Sequence, residues 1–141
     1  MAAIPSDEEF LAYNQGVISE FRANHGVVSQ PPFPVLLLTT TGARTGRPAT
    51  VPLGFAVDDS RRVFVVASKA GAPRHPSWFL RANPSVTVEL GEGSFQARAV
   101  VTEGEERDRL YGIVSGIGSE YEKNTDRVFP VIVLEGVPAP A

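Results

Sequence analysis

The stretch Val35-Leu36-Leu37-Leu38-Thr39-Thr40-Thr41-Gly42-Ala43-Arg44-Thr45-Gly46-Arg47-Pro48 decides how the chain is read. Four large apolar residues and three threonines in a row make a buried strand, because β-branched and apolar side chains suit a pleated surface inside a core. Gly42 to Pro48 is a turn, with two glycines and a proline to reverse the chain, and Ala49 to Val57 returns as a second strand. Asp58-Asp59-Ser60 turns again, and Arg62 to Ser68 is a third strand. The same grammar recurs further on. Val86 to Leu90 alternates, Gly91-Glu92-Gly93 reverses it, Phe95 to Thr102 comes back, and Val128 to Leu134 is another apolar strand. Six short strands at hairpin spacing favour an antiparallel barrel, mostly β with helices packed outside, over a doubly wound parallel sheet.

About three helices are expected beside the strands. Ser6-Asp7-Glu8-Glu9 reads as a capping box, and the helix after it spans about 7–24. Its mostly apolar stripe is Phe10, Leu11, Asn14, Val17, Ile18 and Phe21, and Asn24 and Gly26 stop it. Pro76 to Arg81 is a short helix with proline at its start. Thr102-Glu103-Gly104-Glu105 offers a second capping box, with Leu110, Val114, Ile117 and Tyr121 on one face behind it. Gly112, Gly116 and Gly118 weaken that helix. The chain shows no repeat and no linker, so residues 1–141 are expected to form a single domain, its barrel spanning about 34–136.

Composition excludes several kinds of chemistry. The 141 residues carry a net charge of −3, which argues against charge-driven nucleic-acid binding. There is no cysteine, so disulfides, thiolate metal sites and cysteine nucleophiles are excluded together. No apolar run reaches the roughly 20 residues of a membrane span, and the acidic start has no leader character, so a cytoplasmic protein is expected. The first helix carries four acids against Arg22 alone, a poor pattern for an anionic membrane surface, and membrane contact is disfavoured. Charge is uneven, however. From Thr39 to Arg81 there are seven basic residues and two acidic ones, a net of +5, while the remainder is −8. This middle is either a local anion site or a set of solvated strand residues.

The turn is not a P-loop, because the Lys and hydroxyl pair after its second glycine is missing. His25 and His75 lack ligand spacing to any carboxylate, and no metal site is expected. No serine sits in a nucleophile elbow. With no evident nucleophile, metal or acid–base pair, an enzyme of this sequence would draw its chemistry from a bound organic cofactor. Two segments could hold one. In the turn, Gly42 and Gly46 can expose consecutive amides to an anion, Arg44 and Arg47 can converge on a phosphate, and Thr45 adds a hydroxyl. A plain hairpin with two exposed arginines has the same spacing. In Ala67-Ser68-Lys69-Ala70-Gly71-Ala72, small residues at a strand end let a flat ring approach the backbone. Trp78 beyond it reads as a core anchor.

At these segments the chain resembles a known family. Leu36-Leu37-Leu38-Thr39-Thr40-Thr41-Gly42 with Arg44, Thr45 and Gly46, then Ala67-Ser68-Lys69 with Gly71, Pro76 with Trp78, Ala82-Asn83-Pro84, and Thr125-Asp126-Arg127 with Pro130-Val131, resemble the deazaflavin (F420)-dependent nitroreductases. These are small actinobacterial flavin/deazaflavin oxidoreductases of group A, and the likeness covers about 100 of the 141 residues. It implies a split, FMN-binding-like β-barrel that binds coenzyme F420. It also implies that the cofactor's phosphate and acidic tail lie against Arg44, Thr45 and Arg47 and the backbone of Gly42 and Gly46. The ring would lie near Pro52, Ala67, Ser68, Lys69 and Ala72.

The implied activity is an F420H2-dependent reductase that passes a hydride to a quinone, an activated alkene or a nitro compound. Tyr121 would orient the acceptor or assist its protonation, and Ser68 would bond the ring or substrate. Lys69 would offset negative charge on the reduced ring or bind the tail. Each also has an ordinary reading: Tyr121 as a packed helix residue, Ser68 as a strand-end cap, Lys69 as a solvated lysine. Nitroreducing members line the acceptor pocket with several tyrosines, whereas Gly54, Ser115 and Gly118 stand at such positions here, implying a more open pocket. Two other functions fit the same barrel: a non-catalytic F420-binding or storage protein, and an FMN-dependent oxidoreductase. A monomer and a homodimer are both compatible with the sequence.

Overall fold

Ser6 caps the first helix as its sequence predicts. The computed structural model describes residues 6–29, 34–41, 46–66, 84–122 and 130–140, with the side chains at 7, 10 and 115–122 outside that description. Helix α1 (Asp7–Ala23) opens with both arms of a capping box, Glu9 N–H donating to Ser6 Oγ and Ser6 N–H to Glu9 Oε1. At its end Asn24 N–H donates to the Glu20 carbonyl and Gly26 N–H to that of Phe21. Val17 and Phe21 are buried against Val35 and Leu37, with Ile18 and Val28 beside them. The apolar stripe does not continue to the helix start, since Leu11 is 60% exposed. Arg22 holds Glu89 with Nε at 3.2 Å and Nη2 at 2.9 Å, fixing the helix end to the sheet. Gly26 allows a close approach of backbone to backbone, because a Cβ there would lie 2.6 Å from Gly91 Cα.

Strands β1 (Val35–Thr41), β2 (Pro48–Val57), β3 (Val63–Val66), β4 (Ser85–Leu90), β5 (Gly93–Val101) and β6 (Val131–Glu135) close into a barrel. Their order is β1-β2-β3-β6-β5-β4, and each neighbouring pair is antiparallel. The period of two sorts the side chains. Leu36 and Leu38, Val63 and Val65, Val86 and Val88, and Ile132 and Leu134 meet inside. Val35 and Leu37 point outward under α1, while Phe64, Val131 and Val133 point outward under the second helix. This double cover explains the unbroken apolar run of β1, since a strand buried on both faces has no reason to alternate. Strand β5 does alternate, because nothing packs on its outer side to the same extent. Burying leucines as completely as Leu36 and Leu37 contributes about 1.5–3 kcal/mol each.

Helix α2 (Gly104–Glu122) runs through Gly112, Gly116 and Gly118 without a break. The expected capping box at its start does not form. Thr102 instead sends its hydroxyl and its amide to the Val131 carbonyl, at 2.8 and 2.9 Å, and so joins the barrel. The buried face of α2 includes Leu110 and Val114 as predicted, and also Tyr111, which lies under the Arg107 guanidinium at 4.5 Å. The expected helix at 76–81 lies outside the described residues.

The β2–β3 turn ties α2 down. Asp58, its side chain fully buried, accepts from the amides of Ser60 and Arg62 and from Arg62 Nε. Burial alone would raise its pKa, but these donors and the Arg62 charge together hold it below the usual carboxylate value. Arg109 of α2 reaches Asp59 at 3.2 Å, and Arg62 reaches Glu106 at 3.9 Å. Arg61 donates to the Pro140 carbonyl at 3.0 Å. No described helix is long and apolar enough to cross a membrane.

Candidate functional site

Apart from Pro52, which lies within β2, the predicted site residues fall on three segments, and the register brings the described ends of the β1–β2 turn, the exit from β3 and the entry to β6 to one end of the barrel. Thr41 pairs with Pro48, so the basic turn joins β1 to β2 there. Strand β3 runs antiparallel to β2, with Phe55 opposite Val65, so the chain leaves Val66 heading toward the same end. Val66 pairs with Val131, so β6 enters from that side as well. Residues 67–83 follow Val66, and residues 123–129 connect α2, which carries Tyr121, to β6.

Of the proposed cofactor-binding residues, Gly46, Arg47 and Pro52 are described. Gly46 has φ +68°, a conformation that favours glycine, and its Cα faces open space. Arg47 is exposed next to it. Pro52 lies on the outward face of β2, paired with Leu37. Two residues from Pro52, Gly54 faces the same way opposite Val35. Gly42, Arg44, Thr45, Ala67, Ser68, Lys69 and Ala72 lie outside the described residues, as does the side chain of Tyr121.

The turn's surroundings fit an anionic, hydrogen-bonding ligand. Thr40, one residue before the strand ends, is 1% exposed, and its Oγ1 has no hydrogen-bond partner among the described residues. A buried hydroxyl needs a partner, so Thr40 Oγ1 is a polar atom near the mouth of the barrel that the described residues leave unmatched. Just outside, Thr39 and Thr50 share a hydrogen bond between their hydroxyls at 2.8 Å. The sequence suggested neither feature, because in a run of three threonines only the strand's facing separates the inward hydroxyl from the outward ones.

The basic middle of the chain is not one patch. Arg61 and Arg62 sit at the β2–β3 turn, at the opposite end of β2 from Arg47, and are engaged there with Pro140, Asp58 and Glu106. For these two arginines the structural reading holds, and the charge available at the turn is correspondingly smaller. Asp58 itself was missed as a fold determinant. The signal was present in Asp58-Asp59-Ser60, since an aspartate before a turn accepts from the amides that follow it.

Comparison with known proteins gives a consistent result. The family model described as F420H(2)-dependent quinone reductase matches residues 15–136. The chain is 38% identical over 121 residues to an F420H(2)-dependent quinone reductase of Mycobacterium tuberculosis (strain H37Rv), covering 80% of this chain and 79% of that protein. Among solved structures, an F420-H2 dependent reductase of type FDR-A superposes with a TM-score of 0.64 at 39% identity, covering 72% of this chain and 94% of that one. Another, described as a domain-swapped dimer, gives a TM-score of 0.66 at 34% identity, covering 92% and 100%.

Proposed function

Because the chain belongs to the F420H(2)-dependent quinone reductase family, we propose that it reduces a quinone with reduced F420 through the residues gathered at one end of its barrel. It is an oxidoreductase and F420 is its cofactor. The observation that carries the site assignment is the convergence of the β1–β2 turn, the exit from β3 and the entry to β6.

When bound, F420H2 supplies the hydride. The protein's part is to bind, orient and exclude water. Arg44, Arg47 and Thr45, with the amides of Gly42 and Gly46, would hold the phosphate by charge-assisted bonds. Pro52, Ala67, Ser68, Lys69 and Ala72 would receive the ring, and Lys69 would offset its negative charge. Tyr121 orients the acceptor and passes a proton to its oxygen, so hydride and proton together convert a quinone to a hydroquinone. Small residues at Gly54, Ser115 and Gly118 would suit a bulky acceptor, and activated alkenes and nitro compounds belong to the same proposal as alternative acceptors.

The whole chain, 1–141, acts as one deazaflavin-binding domain in this reading. We place the reaction in the cytoplasm, where a cysteine-free chain needs no oxidising compartment. The likeness to a domain-swapped dimer supports a homodimer, which light scattering distinguishes from a monomer. The test of the function is a fluorescence titration with oxidised F420, with FMN in parallel, followed by turnover with a quinone panel. Micromolar or tighter F420 binding with quinone turnover is expected. FMN bound in place of F420 would overturn the cofactor. F420 binding with no turnover of any quinone, alkene or nitro acceptor would leave a storage protein.

A further inference from the structure

Helix α1 and the residues that follow it form a body closed at both ends by its own hydrogen bonds. Ser6 and Glu9 cap its start. At the other end the Glu20 carboxylate accepts from the amide and from the hydroxyl of Ser29, at 2.8 and 2.9 Å, and so ties the chain after the helix back to its last turns. In the first half of the helix Leu11 and Tyr13 are exposed. That half is shaped by its cap and its length rather than by a footing on the barrel.

The body is held to the barrel along one side. Val17 and Phe21, with Ile18 and Val28, sit on Val35 and Leu37. Arg22 pairs with Glu89, and Gly26 meets Gly91. These contacts are noncovalent, and they reach only β1, β4 and the turn after β4. The same seat on a second copy of the chain offers every one of them.

The covalent tie between body and barrel is Gln30-Pro31-Pro32-Phe33-Pro34. Three prolines in five residues favour extended backbone, at themselves and at the residues before them. At about 3.1 Å per residue, an extended path from Val28 to Val35 would span roughly 22 Å. Val28 nonetheless packs on the cluster that contains Val35. Seating the body on its own barrel therefore works against the preference of its connection, and short connections under strain favour exchange between copies.

We infer that α1 is exchanged in the homodimer, residues 6–29 of each protomer occupying the seat on its partner's barrel, with 30–34 as the hinge. The inference rests on the homodimer reading above and names the segment exchanged. The seat residues Val35 and Leu37 pair with Gly54 and Pro52, which face the same side of the sheet. The exchanged helix then borders residues assigned to the acceptor and the ring, so the surroundings of each site come from two chains.

The chain has no cysteine, so introduced thiols report the exchange directly. Arg22→Cys and Glu89→Cys in one chain, treated with a short bismaleimide, are expected to give a covalent dimer, while light scattering of wild type gives twice the monomer mass. A link that stays within one chain, in a protein that scatters as a dimer, overturns the exchange and leaves the homodimer standing. A wild type that scatters as a monomer overturns the homodimer reading itself. A second measurement needs no cross-link. Arg22→Glu and Glu89→Arg each bring like charges together, and only an exchanged dimer of the two variants restores both opposite-charge pairs. Refolded as an equimolar mixture, they should melt higher than either variant alone, and a mixture that melts no higher overturns the exchange. Pro31→Gly with Pro32→Gly should raise the monomer fraction at equal concentration, and an unchanged fraction overturns the hinge.

Discussion

Asp58 and Arg62 bond to each other through both backbone and side chain. Asp58 Oδ1 accepts the Arg62 amide at 2.8 Å and Oδ2 accepts Arg62 Nε at 2.8 Å. The pair closes the β2–β3 turn and presents its remaining charge to Glu106 and Arg109 of α2. Removing the carboxylate leaves buried amides and a half-buried guanidinium unmatched, and Asp58→Ala should cost about 2–4 kcal/mol of stability. The folded-state pKa of Asp58 is depressed, so its contribution is present above the unfolded value near 3.9 and is lost as pH falls through the folded value. Chemical denaturation of wild type and Asp58→Asn should therefore show a stability gap at pH 7 that narrows below about pH 4. A gap independent of pH would remove the carboxylate's charge from the account.

The approach of α1's end to the β4–β5 turn depends on Gly26. Its φ is +92° and an added Cβ would fall 2.7 Å from the Gly91 carbonyl oxygen. Gly26→Ala should lower stability by about 2–3 kcal/mol and raise amide exchange in α1. Gly16 lies mid-helix with nothing within 4 Å of its Cβ position, and Gly16→Ala should instead stabilise by about 0.5–1 kcal/mol. Thermal melts of the two variants moving in the same direction would contradict this placement of α1.

Arg47 stands at the mouth of the barrel, exposed beside Gly46. Arg47→Ala should weaken F420 binding by about 1–3 kcal/mol while leaving the melting temperature nearly unchanged. Unchanged affinity in both Arg47→Ala and Arg44→Ala would remove the turn from the site.

Much of the fold was legible in the sequence, because it rests on period and punctuation. The β1 apolar run, the Ser6 capping box and the glycine stop at Gly26 each state their structure locally. What could not be read depends on neighbours distant in the chain. Thr102 looks like a helix cap until Val131 arrives beside it and takes its hydroxyl. Leu11 continues a helical stripe, but the barrel surface that would cover it ends sooner. Arg61 and Arg62 count toward a basic segment, but barrel closure carries them to the far end from Arg47. The cofactor family was legible at the turn and at the small-residue segment, whose residues 42–45 and 67–72 lie outside the described ones. The convergence of their ends followed only from the register of β1, β2, β3 and β6.

The placement of Asp58 and its partners at the far turn has a bearing on how such a chain can diverge. Among the described residues, the ion pairs that lock α2 to the β2–β3 turn draw on none of the residues assigned to the cofactor or the acceptor. Substitutions around the mouth therefore escape most of the selection that maintains folding. Lineages sharing this barrel can drift in what they reduce while inheriting the same foundation unchanged.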